Sequence, residues 1–248
     1  MKYVWATATH KGMVRENNED AVFPGASGDS QDGAVLIVAD GMGGHVAGEV
    51  ASRIAINAAA SSQLTAGDRV AAGNRAIREE VAREPSLEGM GTTMTLLMIE
   101  DGQATVGHVG DSRAYLLRNG DLSQLTEDHT VAAEYVAMGQ LSAREAASHP
   151  QRHMLTRTLG LTRFVNVDEY KFDLESGDRV LVCSDGLTEM VDDYRIAERL
   201  GEGTPEEVAW GLVELANQAG GVDNISVVVV EASSDGGTDS SGGNSASD

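Results

Sequence analysis

The sequence predicts an α+β fold: two antiparallel β-sheets packed as a sandwich, with helices outside. Three observations lead there. The apolar runs VLIVADG (35–41) and VLVCSDG (180–186) each stop abruptly at Asp-Gly. Strand-type segments cluster between about residues 92 and 126, separated by hairpin signals. Helical periodicity is found only outside that cluster. Runs of strands grouped apart from runs of helices indicate α+β, and a doubly wound parallel sheet fits less well.

The elements follow in order. Residues 47–62 place Val50, Ile54 and Ala58 four apart, which predicts a helix. Residues 68–83 put Val70, Ile77 and Val81 on one face, with Pro85 as a stop. TTMTLLMIE, ATVGHVG and RAYLLRNGDLSQL then read as strands. Asp101-Gly102 and Asn119-Gly120 supply the tight turns. Met90, Met94 and Met98 recur every fourth residue, and their β-branched neighbours assign them to a strand core. Residues 130–148 read as helical and polar. Strands recur near 165–172 and 179–184, a helix covers 205–219, and ISVVVVE closes the domain as a strand.

The folded domain is expected at residues 1–231. Residues 232–248 hold no aliphatic side chain larger than alanine, so that Ser/Gly/Asp-rich tail is expected to be disordered. The chain has 248 residues and a formal charge of −21. That balance argues against nucleic acid and anionic membrane as partners, and it is compatible with cations. Cys183 is the single cysteine, which excludes an intrachain disulfide, and its apolar setting predicts a buried hydrophobe. The N-terminus MKYVWATATHKG lacks the apolar stretch of a signal peptide, and no run approaches a membrane span. A soluble, cytoplasmic and monomeric protein is the expectation.

Five aspartates stand at element edges. Asp40 and Asp185 end the two apolar strands, Asp20 precedes AVF, Asp111 follows ATVGHVG, and Asp223 precedes ISVVVV. Taken singly, each reads as a turn or cap residue. Taken together, they would repel strongly if they converged, unless a cation stood among them. Oxygen ligands, without a cysteine pair or a histidine at ligand spacing, point to Mg²⁺ or Mn²⁺ over zinc.

The motifs RENNEDAVF, VADGMGGH, GTTMT, GHVGDSRAYL, SDGLTEM and VDNISVVVV occur in this order between residues 15 and 230. In this respect the chain resembles the bacterial branch of the metal-dependent (PPM, type-2C) protein-serine/threonine phosphatases. The resemblance implies a β-sandwich with helices on both sides and two or three Mn²⁺ or Mg²⁺ ions. It implies that Asp40 bridges two metals, with the Gly41 carbonyl on one, and that Asp185 and Asp223 hold the second. Asp20 and Glu19 would act through metal-bound water, Asp111 with Asp185 would hold a third ion, Arg15 would bind phosphate, and Asn224 would orient Asp223. Hydroxide bridging the metals would attack the phosphoryl group without a phosphoenzyme. The implied partners are phosphorylated proteins and a Ser/Thr kinase whose action the chain reverses.

The proton donor to the leaving group is open. Met42 stands where eukaryotic relatives carry histidine, and the nearest histidine is His45, which either donates the proton or shapes the site. His108 reads as a packed core residue. His129 and His153 lie in a flap-like region, 128–160, bordering the substrate cleft. Thr92 and Thr93 either touch the site or merely permit close packing. Two other functions compete: a pseudophosphatase that only binds phosphoproteins, and a hydrolase of small phosphorylated metabolites. The first is disfavoured because every metal-ligand aspartate is present.

Overall fold

The structure, a computed structural model, describes residues 1–43 and 47–234. Among them β1 (Lys2–His10), β2 (Ala21–Phe23), β3 (Gly28–Ser30), β4 (Ala34–Ala39) and β5 (Gly41–Met42) precede the helices α1 (Ala47–Ala60) and α2 (Ala66–Arg83). Then come β6 (Gly91–Thr92), β7 (Met94–Glu100), β8 (Gln103–Val109), β9 (Arg113–Arg118) and β10 (Asp121–Gln124). Short helices α3 (Val131–Ala137) and α4 (Ala143–Ala146) follow, then β11 (Asp168–Asp173), β12 (Arg179–Cys183), α5 (Asp185–Thr188), α6 (Asp193–Leu200), α7 (Pro205–Gln218) and β13 (Ile225–Ser233).

Two antiparallel sheets result, ordered β10-β9-β12-β13-β1-β3 and β11-β8-β7-β4-β2. The central strands are apolar on both faces because each sheet is covered twice. In β4, Leu36 and Val38 face the opposing sheet, while Ile37 and Ala39 pack beneath α1 and α2. In β13, Val228 and Val230 point between the sheets, and Val227 and Val229 point to the layer of α6 and α7. Met90, Met94 and Met98 share the helix-covered side, as a period of four in extended chain requires. The expected sandwich with outer helices is therefore the fold observed.

Local chemistry sets the boundaries. Asp101 and Gly102 (φ +49° and +82°) and Asn119 and Gly120 (φ +53° and +86°) both place two successive residues at positive φ, the geometry of a two-residue hairpin turn. Thr65 caps α2 by accepting from the Asp68 amide, and Thr204 with Glu207 forms a capping box that starts α7 at Pro205.

Four expectations need correction. Residues 130–148 form two short helices, broken near Gly139 at φ +70°, instead of one. The strand expected near 165–172 is confined to Asp168–Asp173. Strand β1 and helix α6 were not foreseen. The boundary at residue 231 is also two residues short, since β13 runs on to Ser233. Ala232 is buried opposite Tyr3, donates its amide to the Asp178 carbonyl (2.9 Å) and accepts from the Gly177 amide (2.7 Å).

A chain ending at Glu231 should therefore melt about 5 °C or more below one ending at Ser234. Two buried backbone bonds and a strand end are worth roughly 2–3 kcal/mol in a domain of this size. Calorimetry of the two truncations checks this. Equal melting temperatures would place the end of the domain at 231.

Candidate metal centre

One end of the sandwich carries a cleft of about 830 Å³. Asp40, Asp111, Asp185 and Asp223 line it together with Gly41, Glu19, Asn224 and Arg15. Asp40 and Asp111 leave the ends of β4 and β8 in one sheet. Asp185 follows β12 and Asp223 precedes β13 in the other. The site thus straddles the edge between the two sheets.

The backbone around Asp40 is tied from three directions. Its amide donates to Thr93 Oγ1 (3.0 Å), and its carbonyl accepts from the Thr93 amide (2.9 Å) and from Thr92 Oγ1 (2.8 Å). Of the two roles open to Thr92 and Thr93, touching the site is the one observed: both bond to the Asp40 backbone. The glycine after Asp40 is needed for close approach: a Cβ on Gly41 would stand 2.2 Å from the Gly48 carbonyl and 2.5 Å from that of Glu19. A Cβ on Gly186 would stand 2.0 Å from the Asn224 carbonyl. Each Asp-Gly pair marks a strand end pressed against a neighbouring loop.

Asn224 acts differently from the expectation. Its Nδ2 donates to the carbonyls of Lys11 (3.0 Å) and Asn17 (2.8 Å), and its Oδ1 accepts from the Glu19 amide (2.8 Å). The side chain therefore pins the β1–β2 loop, and it is the Asn224 backbone amide that holds Asp223 Oδ1 (2.8 Å). Arg15, on that loop, donates to Asp223 Oδ2 (2.6 Å). Asp20 lies behind the cleft lining, where its Oδ2 accepts from Ser184 Oγ (2.8 Å). His45 lies outside the described residues.

The electrostatics are unfavourable as they stand. Burial, then the neighbouring charges of Asp20, Asp185, Asp111 and Asp223, pushes Asp40 well above the usual carboxylate range. Burial likewise lifts Asp111 and Asp185, and lifts Asp20 to about 7. Asp20 Oδ1 and Asp185 Oδ1 are buried without a hydrogen-bond partner. Orphaned carboxylate oxygens in a crowded, desolvated cluster fit a hard divalent cation, which would be held by Asp40, Gly41, Asp185 and Asp223. Sequence reasoning missed one neighbour. His153, Asp185 and Glu189 bring their ligand-type atoms within 4.8 Å of one another, and His153 Nδ1 contacts Glu189 Oε1. Separated by 32 and 4 positions along the chain, they meet only because 128–160 folds back onto the cleft. Glu189 falls four residues after Asp185 on the same helical turn, and that spacing was the signal available.

His108 and His129 are accounted for by packing. His108 is fully buried, bonded to Thr95 Oγ1 (2.9 Å) and the Glu127 carbonyl (3.1 Å), and burial lowers it to about 3. His129 Nδ1 accepts from the Gly110 amide (3.0 Å), so its proton sits on Nε2 and faces Asp168 Oδ2 (3.0 Å).

Adding Mn²⁺ at about 100 Kd should raise the melting temperature by roughly 5–10 °C through mass action. Asp185→Asn should lose most of that rise. In EDTA the same variant should melt no lower than the wild type, because one clustered charge is gone. Differential scanning fluorimetry with and without Mn²⁺ measures both, and a variant equally destabilised in EDTA would contradict the repulsion argument.

The protein phosphatase 2C family model matches residues 9–207. The serine/threonine protein phosphatase PstP of Mycobacterium tuberculosis is 43% identical over 236 residues, which cover 92% of this chain and 44% of PstP. The chain thus spans less than half the length of that relative. The serine/threonine phosphatase stp of Listeria monocytogenes is 38% identical over 237 residues, covering 90% of this chain and 93% of its own. The crystal structure of M. tuberculosis PstP superimposes with a TM-score of 0.86 at 41% identity, over 94% of this chain and 100% of that one. A PstP catalytic domain in complex with two manganese ions gives 0.83 at 38% identity, with the same coverage. The chain belongs to the protein phosphatase 2C family.

Proposed function

We propose that the chain is a metal-dependent protein phosphatase that hydrolyses phosphoserine and phosphothreonine on proteins, with direct transfer of the phosphoryl group to water. The observation that carries this reading is the gathering of Asp40, Asp111, Asp185 and Asp223, with Arg15 beside them, in one cleft. A bound divalent cation, Mn²⁺ or Mg²⁺, supplies the positive charge that phosphoryl oxygens require and lowers the pKa of water.

The chain's own residues do the rest. Thr92 and Thr93 hold the Asp40 backbone, so the carboxylate does not need to reorganise as charge develops. Arg15 is half-exposed and reaches into the cleft, where its guanidinium suits a phosphoryl group better than a point charge would. Asn224 fixes the loop that carries Arg15 and Glu19. A cysteine nucleophile is ruled out, because Cys183 is fully buried and burial pushes its thiol up to about 12. The relatives named as serine/threonine phosphatases support a protein substrate, and a kinase counterpart, a monomeric state and a cytoplasmic setting belong to the same proposal. Among the described residues no helix is long and apolar enough to cross a membrane.

Turnover of phosphothreonine peptides, free phosphoserine and nucleotides should be compared with Mn²⁺ present. The peptides are expected to give kcat/KM values at least about 10-fold above the small phosphates. Preference for a small phosphate would favour the metabolite hydrolase, and binding without turnover would favour the pseudophosphatase. Asp223→Asn should lower peptide turnover by about 10²–10³-fold at saturating Mn²⁺. Near-wild-type turnover in that variant would remove Asp223 from the site.

A further inference from the structure

We propose that Met154, Leu161 and Phe164 form an apolar subsite that receives a bulky apolar side chain flanking the phosphorylated residue of the substrate. The proposal rests on the phosphatase reading and names the class of peptide the site prefers.

Large apolar side chains left in water are ordinarily scattered singly. Here three line the same cleft as the aspartates: Met154 is 51% exposed, Leu161 48% and Phe164 80%. None of them contributes to the core clusters. Their position continuous with the metal centre identifies the occupant. A chain whose phosphoryl group reaches Asp40 and Arg15 must pass along the remainder of the cleft.

The segment that carries the two most useful side chains is held firmly. Asn74, buried in α2, accepts from the Gly160 amide (2.7 Å) and donates to the Thr162 carbonyl (3.2 Å) and the Arg163 carbonyl (3.5 Å). Thr162 Oγ1 donates to the Phe164 carbonyl (2.8 Å). Gly160 sits at φ +97°, and a Cβ there would stand 2.8 Å from the Met90 carbonyl, so the turn admits glycine alone. Leu159 exchanges two backbone bonds with Thr92 (2.9 and 3.2 Å), and Thr92 in turn holds the Asp40 carbonyl. The backbone that bears Leu161 and Phe164 therefore stands at a fixed reach from Asp40. Holding that backbone in advance reduces the entropic cost of binding a side chain there.

Charge agrees with this occupant. On a chain of net charge −21, Arg15 and Arg157 line the cleft and the Arg163 guanidinium lies 5.2 Å from the Phe164 ring centroid. Arg15 is paired with Asp223 (2.6 Å) and Arg157 with Asp168 (2.8 Å), so each presents its remaining guanidinium donors to an anionic phosphopeptide, and the segment 159–166 carries no carboxylate. Asn74 is a positioning residue in this scheme, acting through the turn it holds.

The test uses the full chain with Mn²⁺ and a set of phosphothreonine peptides. Phenylalanine is moved one position at a time through an alanine background on both sides of the phosphothreonine. At one or two positions it should raise kcat/KM by about 10-fold or more, mainly through KM. Phe164→Ser should erase that preference, so that its loss on the phenylalanine peptide exceeds its loss on the alanine peptide and on p-nitrophenyl phosphate by about 10-fold. Phe164→Leu should restore most of the preference, which a merely structural role would not predict. Asn74→Ala should weaken the same preference, and the exposed Phe164 variants keep the test decisive if that buried change unfolds the chain. Turnover of every peptide at equal efficiency would overturn the subsite alone. Equal losses on all substrates in Phe164→Ser would do the same. Absence of turnover on any phosphopeptide would overturn the phosphatase reading, and the subsite with it.

Discussion

The structure depends on a crowd of buried and half-buried carboxylates that cannot move apart. Asp40 and Asp185 line one cleft, Asp20, Asp111, Asp185 and Asp223 bear on Asp40 through charge, and Asp223 bears on Asp185. In an ordinary loop region such repulsion would be relieved by displacement or by water. Here the backbone is fastened: Thr92 and Thr93 hold Asp40, Ser184 holds Asp20, and Asn224 ties the loop of Glu19 to the start of β13. What the fold leaves unsatisfied is a need for positive charge, and Arg15 meets only part of it.

The fastening begins in the core. Two of the cleft aspartates extend from one sheet and two from the other, so the distances between them are set by how the sheets stack. Leu36 and Val38 of β4 share the inter-sheet cluster with Val180, Val182, Val228 and Val230 of the facing strands. Close-packed interiors transmit strain instead of absorbing it. A change of volume in that layer, well away from any ligand, would shift Asp40 relative to Asp223. This makes the both-faces-apolar character of β4, β12 and β13 a functional matter as well as a matter of stability.

That character is also why much of the centre was legible in the sequence. An apolar run ending in Asp-Gly declares a strand buried on both faces, a carboxylate at its end and a close approach after it. Each of those three holds at Asp40 and at Asp185. The hairpins at Asp101-Gly102 and Asn119-Gly120 were legible because positive φ restricts the residue types. Strand β1 was not, since Ala6 and Ala8, alternating with Thr7 and Thr9, give little apolar contrast on a face that is nonetheless buried. Helix α6 was missed because Ile196 and Leu200 are its only buried residues over eight positions. The pairing of His153 with Glu189 and the grip of Asn74 on 160–163 depend on tertiary contacts between distant segments, for which local periodicity carries no signal.

The cleft divides its labour between two kinds of support. The carboxylates stand on strand ends whose positions follow from the core. The opposite wall belongs to the stretch from Asp128 to Val165, which has little regular structure and is attached at discrete points. His129 exchanges bonds with Gly110, next to Asp111, and Arg113 grips Asp128 with a two-pronged ion pair (2.6–3.1 Å). Val131 bonds to Met154 across the base of the wall, and Leu159 bonds to Thr92 at its far end. The attachments at Gly110 and Arg113 lie within two residues of Asp111, and Leu159 joins Thr92, which holds the Asp40 carbonyl. Among the side chains between the attachments, His153 bears directly on Asp185, while the exposed Met154, Leu161 and Phe164 carry no bond to the aspartates. A fold arranged in this way can change what it recognises while its charge cluster stays fixed, because the bonds that position the wall are not the side chains that face the cleft.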